Sequence, residues 1–215
     1  MNLSLFHLVR QPKVVVEKNP LILLIHGYGS NEQDLFSLAS ELPETHYVIS
    51  IRAPYDLQYG SYAWYAINFD ADENKFSNIE QASTSRDLII KFIDELSCTY
   101  PINTSDISLL GFSQGAILSY AIALSYPEKI SKVAAFSGYL NLEMVVPTIE
   151  NKSYSHLKIF TSHGTADQVI PVDWARKVKP QLATYGIEIT YKEYPIGHGI
   201  SPQNFSDFKN WFLEK

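Results

Sequence analysis

Residues 107–126 read ISLLGFSQGAILSYAIALSY. The apolar run Ile107–Leu110 is typical of a strand that is covered on both faces. The segment Gln114–Tyr126 is apolar almost all round, which indicates a buried helix, and Pro127 ends it. Between the two, GFSQG at 111–115 fits G-x-S-x-G, a sharp strand-to-helix turn that exposes a serine hydroxyl. This spacing predicts a nucleophilic serine, Ser113, at the carboxyl end of a central strand.

Strand-like apolar runs and helix-like segments alternate along the rest of the chain. This alternation predicts an α/β fold over residues 1–215, a single domain with a mostly parallel central sheet and helices on both faces. The other predicted strands are Leu21–Ile25, Tyr47–Ile51, Lys132–Phe136, Leu157–Thr161 and Ile187–Glu193. A helix is predicted from Ser30 to about Ser40, with Ser30 and Gln33 as its capping box. Two more are predicted from about Glu80 to Ser97 and from Pro171 to about Tyr185. The last begins after Ser201 as cap, with Pro202 at the first position.

Composition excludes several classes of protein. Lys and Arg number 17 against 23 Asp and Glu, a net charge of −6, which argues against binding to nucleic acid. Hydrophobic residues at 46% and charged residues at 19% exclude a disordered chain. The chain has no apolar run of the roughly 18–20 residues that cross a bilayer, so we expect no stable membrane insertion. The single cysteine, Cys98, fits a reducing compartment, and we expect a soluble, cytoplasmic protein.

A serine nucleophile needs a base and an acid that orients the base. On this kind of fold the chain order is serine, acid, histidine. Asp167 lies in HGTAD at 163–167, just past a predicted strand, where an open α/β sheet carries its site residues. His198 lies in GHG at 197–199, in a loop between the last strand and the last helix. The order and context predict a catalytic triad of Ser113, Asp167 and His198.

The other acids and histidines that follow Ser113 make poorer triads. Asp173 sits in the first turn of a predicted helix, where the helix dipole explains it. Asp207 comes after every histidine, so the chain order excludes it. A remaining alternative pairs a histidine with a glutamate that has no strand-end context; its members are His156, His163, Glu143 and Glu150.

Two backbone N–H groups are candidates for an oxyanion hole. One belongs to Gln114, directly after the nucleophile, and the other to Tyr28, which has a glycine on each side in LIHGYGS at 24–30. Metal catalysis has little support, because the six histidines show no close helical pair and there is no C-x-x-C pair. The glycines near His26 lack the lysine of a phosphate-binding P-loop. We therefore expect no metal and no cofactor.

Residues 53–78 interrupt the alternation of strands and helices. Long loops in compact domains are usually functional or disordered, and the aromatic content here argues against disorder. These side chains could line a pocket for an apolar acyl chain, with Trp64 and Tyr65 as the substrate-binding candidates. The alternative is that Trp64 and its neighbours cover the edge of the sheet. The aromatic residues of this segment are Tyr55, Tyr59, Tyr62, Trp64, Tyr65, Phe69 and Phe76.

Taken together, the motifs resemble the phospholipase/carboxylesterase family of α/β-hydrolases, which includes bacterial carboxylesterases and acyl-protein thioesterases. They are LIHGYG at 24–29 with Asp34, RAP at 52–54, YAWY at 62–65, GFSQG at 111–115, HG at 163–164 with Asp167, and GHG at 197–199. The resemblance implies a largely lidless hydrolase with the same triad and with oxyanion donors at Tyr28 and Gln114. It also implies a homodimer as one oligomeric state, since the family is often dimeric. Many relatives have leucine at the position of Tyr28, a difference that should alter the pocket wall rather than the chemistry.

The expected function is that of a serine carboxylesterase, which hydrolyses short- to medium-chain esters through an acyl-enzyme. Its expected partner is therefore a small-molecule ester substrate. The alternative within this class is an acyl-protein thioesterase or lysophospholipase that acts on long acyl chains. Two other classes stay open: a binding protein on a scaffold that has lost catalysis, and an acyltransferase in which an alcohol or amine outcompetes water. No triad member is missing, which speaks against the first of these.

Overall fold

Seven strands form the central sheet of the computed structural model, which describes residues 3–69, 75–147 and 152–214. In chain order the strands are β1 His7–Arg10, β2 Asn19–Ile25, β3 Tyr47–Ile51, β4 Tyr55–Asp56, β5 Tyr62–Ala63, β6 Ile67–Phe69, β7 Lys75–Ser77, β8 Ile102–Phe112, β9 Lys132–Phe136, β10 Lys158–Gly164 and β11 Ile189–Tyr194. The sheet order is β1-β3-β2-β8-β9-β10-β11. Among the described strands of this sheet only β1 pairs antiparallel, so the predicted mostly parallel sheet is confirmed.

Helices cover both faces of the sheet. They are α1 Gln33–Phe36, α2 Ile79–Thr99, α3 Gln114–Ser125, α4 Val172–Arg176, α5 Val178–Ala183 and α6 Pro202–Leu213. Along β2, the alternate residues Leu21, Leu23 and Ile25 belong to the apolar layer shared with α2 and α3. Ile22 and Leu24 belong to the opposite layer, which α6 completes. Burial on both faces explains why this strand is a continuous apolar run.

The predicted helix caps have mixed outcomes. At α6 the Ser201 side chain accepts a hydrogen bond from the Asn204 N–H, as its cap position predicts. The predicted capping box at Ser30 is wrong, because its hydroxyl donates to the Asp34 carboxylate at 2.7 Å. The helix there is only α1, followed by a short 3₁₀ turn at Ala39–Glu41.

The single helix predicted from Pro171 to about Tyr185 is two helices. α4 ends at Arg176 and α5 begins at Val178. Pro180 lies in the first turn of α5, where it needs no N–H, but in one continuous helix its ring would clash with the Arg176 carbonyl. The ring of Pro180 is therefore compatible with two short helices but not with one continuous helix.

The aromatic segment contains two short hairpins, β4–β5 and β6–β7, outside the central sheet. The first is tied to the loop after β2 by a bridge between Ser30 and Tyr62. The side chains of Phe69 and Phe76, and Glu150 as a whole, lie outside the described residues. Among the helices that the structure describes, none is both long and apolar enough to cross a membrane.

Candidate active site

Ser113 stands at the turn between β8 and α3. Its backbone has φ 53° and ψ −115°, a conformation that L residues rarely adopt and that places strain on the turn. A Cβ at Gly115 would lie 1.9 Å from the Ile25 carbonyl oxygen, and one at Gly111 would lie 2.4 Å from the Gly115 carbonyl oxygen. The two glycines of the motif are therefore required because α3 crosses the ends of β2 and β8 in backbone-to-backbone contact.

The structure brings Ser113, His198 and Asp167 together in one chain of polar contacts. His198 Nε2 lies 3.0 Å from the Ser113 hydroxyl, and His198 Nδ1 lies 2.7 Å from Asp167 Oδ2. An ionised carboxylate can only accept, so the proton of a neutral His198 belongs on Nδ1, which leaves Nε2 free to accept from the serine hydroxyl. This is the geometry that a serine nucleophile and its base require.

Close backbone packing positions the acid and the base. A Cβ at Gly164 would lie 2.2 Å from the Gly197 carbonyl oxygen, so the loops that follow β10 and β11 touch through their main chains. Those loops carry Asp167 and His198 respectively. The glycine at 164, whose Cβ would clash with the main chain at Gly197, thus lets the segments that carry acid and base approach each other.

The carboxylate of Asp167 is held by several donors. Its Oδ1 accepts from the N–H groups of Val169 at 2.8 Å and Ile170 at 2.9 Å. Burial by itself would raise the pKa of Asp167, but the Ile170 N–H, the His198 ring and the Val169 N–H together bring that pKa below its ordinary value. The residue is consequently ionised at neutral pH, as an orienting acid must be.

The two predicted oxyanion donors lie beside Ser113. Within the described part of the chain, the N–H groups of Tyr28 and Gln114 have no hydrogen-bond acceptor, and both residues line the same cavity as Ser113. Gln114 is fixed at its other end as well: its side-chain Oε1 accepts from the Trp64 N–H at 3.1 Å, and its Nε2 donates to the Tyr65 carbonyl at 2.8 Å. An unpartnered N–H pair on a fixed backbone suits an anion that forms only during reaction.

A cavity of about 340 Å³ opens at Ser113. Tyr65, one predicted substrate-binding residue, lies in its wall. Trp64, the other, lies outside the wall: its side chain is fully buried and its indole N–H donates to the His26 carbonyl at 2.9 Å. Four further wall residues were not predicted from the sequence: Tyr139, Val169, Ile170 and Trp174. They follow the carboxyl ends of β9 and β10, and this position in the sequence is the signal that could have identified them.

The alternative acids and bases have other contacts. His156 Nε2 lies 2.7 Å from the Pro127 carbonyl, and Asp173 accepts from Arg176 at 2.9 Å. Asp207 accepts from the Tyr194 hydroxyl at 2.7 Å, and Glu143 is exposed. Across residues 3–69, 75–147 and 152–214, no cluster of three or more His, Cys, Asp or Glu side chains could hold a metal ion.

Comparison with known proteins gives one consistent result. A sequence model of the family described as phospholipase/carboxylesterase matches residues 9–215. An acyl-protein thioesterase 1 of Mycosarcoma maydis is 25% identical over 230 residues, which cover 97% of this chain and 95% of that protein. A protein of Arabidopsis thaliana named as a probable carboxylesterase is 29% identical over 115 residues, 53% of this chain and less than half (44%) of its own length. The crystal structure of a Bacillus cereus carboxylesterase superposes with a TM-score of 0.82 at 20% identity, covering 97% of this chain and 93% of that one, and it shows the shared fold.

Proposed function

The chain belongs to the phospholipase/carboxylesterase family, a family of carboxylic ester hydrolases, and from that premise we propose that it is a serine carboxylesterase acting on short- to medium-chain esters. The observation that carries the proposal is the contact chain from Ser113 through His198 to Asp167 at the mouth of an apolar cavity. We further propose that it acts in the cytoplasm, which its single cysteine, Cys98, favours.

Acylation begins at the Ser113 hydroxyl. Its oxygen attacks the ester carbonyl carbon while the hydroxyl proton moves to His198 Nε2, and Asp167 stabilises the resulting imidazolium. The carbonyl oxygen becomes an oxyanion that accepts from the N–H groups of Tyr28 and Gln114, each worth about 3 kcal/mol when well aimed. The carbon–oxygen ester bond then breaks, His198 gives its proton to the departing alcohol, and the acyl group stays on Ser113.

Deacylation repeats these steps with water. His198 Nε2 takes a proton from a water molecule as that water attacks the acyl-enzyme carbonyl. The same two N–H groups hold the second oxyanion. When the intermediate collapses, Ser113 regains its proton from His198 and the free carboxylic acid leaves.

The size of the cavity supports the choice of acyl group. At about 340 Å³ it lies near the lower end of the roughly 300–1,000 Å³ range of small-molecule sites. The alternative, a thioesterase or lysophospholipase for long chains, is favoured by the relatives named acyl-protein thioesterase and by the half-exposed apolar side chains of Val169 and Trp174 in the cavity wall. A long chain would extend over those two residues.

Initial rates on p-nitrophenyl esters of increasing acyl length, with Ser113→Ala as the blank, test the proposal. We expect serine-dependent rates that peak at short or medium chains. Rates that climb steadily with length would favour the long-chain alternative. Wild-type rates equal to the blank on every ester would overturn the hydrolase proposal, and dominance of a transferred acyl product in the presence of an added alcohol would make the protein an acyltransferase.

A further inference from the structure

His163 lies directly beneath the acid of the proposed triad. It is the penultimate residue of β10, and its ring is completely buried. Its Nε2 lies 2.8 Å from the Ile170 carbonyl oxygen and 3.2 Å from Asp167 Oδ2. The mechanism described above makes no use of this ring.

The contacts of the ring determine its tautomer. A carbonyl oxygen and a carboxylate oxygen both accept and neither donates, so Nε2 must carry a proton. Nδ1, in contrast, is buried without a hydrogen-bond partner in the described part of the chain. A proton on Nδ1 would be an unsatisfied buried donor, so the contacts favour the tautomer with its proton on Nε2.

The unpartnered Nδ1 indicates that His163 is not present for stability alone. Burying a polar atom without a partner is unfavourable, and an apolar side chain of similar size would avoid that cost. The favourable interaction of this ring is therefore concentrated at Nε2, which faces the Ile170 peptide and the Asp167 carboxylate.

We propose that His163 is a positioning residue that orients Asp167 through the Ile170 peptide, an inference that rests on the proposed function. The His163 N–H donates to the Ile170 carbonyl, and the Ile170 N–H donates to Asp167 Oδ1 at 2.9 Å. Nε2–H also lies close to Oδ2, the oxygen that contacts His198. His163 thus closes the loop that carries the acid and holds its carboxylate with one oxygen toward the base.

Two substitutions separate the N–H of His163 from its bulk. His163→Leu keeps an apolar side chain of comparable size but removes the donor, whereas His163→Gln offers an amide N–H at nearly the same distance from the backbone. On p-nitrophenyl butyrate we expect His163→Leu to lower kcat by about 10- to 100-fold with KM within about 2-fold, because a misplaced acid affects the reaction more than binding. We expect His163→Gln to recover most of that loss.

The matched control is Tyr120→Phe. The Tyr120 hydroxyl is buried and bonds at 2.7 Å to the Thr161 hydroxyl, two residues earlier on β10, away from the cavity. Removing it disturbs the same strand without touching the acid, so kcat should stay within about 2-fold of wild type. A His163→Leu enzyme that keeps kcat as well as this control, or a loss that His163→Gln fails to recover, would overturn the proposal.

The tautomer of His163 in the wild-type protein gives an independent measurement if the leucine variant does not fold. In ¹⁵N spectra of the protein labelled at histidine and assigned through the backbone, we expect a proton on Nε2 and none on Nδ1 of His163. The opposite tautomer would overturn the proposal. The Ser113→Ala blank keeps the two proposals distinguishable. Wild-type rates equal to those of the blank would overturn the proposed function. Serine-dependent rates that are unchanged in His163→Leu would overturn this inference alone.

Discussion

The two sides of Ser113 are built in different ways. On one side Asp167 and His198 are placed by main-chain contacts, such as the approach of Gly164 to Gly197, and by hydrogen bonds of 2.7–3.0 Å. On the other side the cavity wall consists of aromatic and aliphatic side chains from separate loops, packed by shape, as in the edge-to-face pair Tyr139 and Trp174 at 5.0 Å. Under the proposed function, the chemistry depends on positions with little tolerance for change, whereas substrate preference depends on side chains that can be exchanged.

Asp167→Asn should have the largest effect on the acid–base side. An asparagine can present its N–H₂ group to His198 Nδ1 and so favour the wrong tautomer, and we expect kcat to fall by about 10⁴-fold near neutral pH. The control is Asp173→Asn, an exposed carboxylate that pairs with Arg176, for which we expect wild-type rates. Steady-state rates normalised to folded protein check this; a loss of less than about tenfold in Asp167→Asn would mean that His198 does not depend on the acid.

Gly115→Ala tests the main-chain contact that supports the nucleophile. The added Cβ would fall 1.9 Å from the Ile25 carbonyl oxygen, and backbone must move to make room. We expect an insoluble protein or a loss of more than about 4 kcal/mol in the free energy of unfolding.

Gly199→Ala is the matched control for that substitution. Within the described structure a Cβ there would meet no heavy atom within 4 Å, so the change in unfolding free energy should stay within about 0.5 kcal/mol. Urea denaturation compares the two variants. Equal stabilities would contradict the main-chain account of the motif.

The three residues predicted for the acid–base side lie together in the structure, whereas most of the wall residues were not predicted. The turn at Ser113 requires a particular local backbone geometry, and its glycines are needed for that geometry. A short sequence pattern is therefore enough to identify their role in the turn. The wall residues Tyr139 and Trp174 carry no such pattern, because apolar side chains look alike in sequence whether they face a cavity or the core. Trp64 shows the same ambiguity: its indole is buried against the His26 carbonyl rather than in the cavity wall.

The fold was predictable where periodicity is strong and less so at its margins. The buried strands and α2, α3 and α6 follow from apolar patterns of the right period. The edge strand β1 was missed, since His7–Arg10 mixes polar and apolar residues and is only half-buried. The break between α4 and α5 comes just before Pro180, a single residue inside an otherwise helical segment.

Two carboxylates should make stability fall in acid. The Arg52 side chain lowers the pKa of Glu32 through hydrogen bonds of 2.7 Å, although burial opposes this, and the pKa of Asp167 is likewise below its ordinary value. A carboxyl group with a lowered folded-state pKa stabilises the protein above its unfolded pKa, near 4, and this contribution is lost as pH falls through the folded pKa. We expect the free energy of unfolding, from urea titrations between neutral pH and about pH 3, to fall less steeply in Glu32→Gln and in Asp167→Asn. Slopes identical to wild type in both variants would contradict the pKa directions.

Trp174→Ala should have the smallest effect and lies on the wall side. Removing this half-exposed ring takes apolar contact from an acyl chain but leaves the triad untouched. We expect KM for a p-nitrophenyl octanoate to rise by about 3- to 10-fold, with kcat for the acetate within about 2-fold. Tyr59→Ala, at a fully exposed aromatic residue away from the cavity, is the control. A large fall in kcat for the acetate would mean that the two sides of Ser113 are not independent.

The unusual backbone of Ser113 bears on how such an enzyme could adapt to heat. With φ at 53°, this residue occupies a conformation that costs an L amino acid roughly 1–3 kcal/mol and costs glycine little. A glycine would therefore yield a more heat-resistant protein. Under the proposed function it would also be inert, so the serine lowers the thermal stability of the fold in return for turnover. Any lineage of this enzyme that moves to a warmer habitat has to recover that margin at positions remote from the nucleophile.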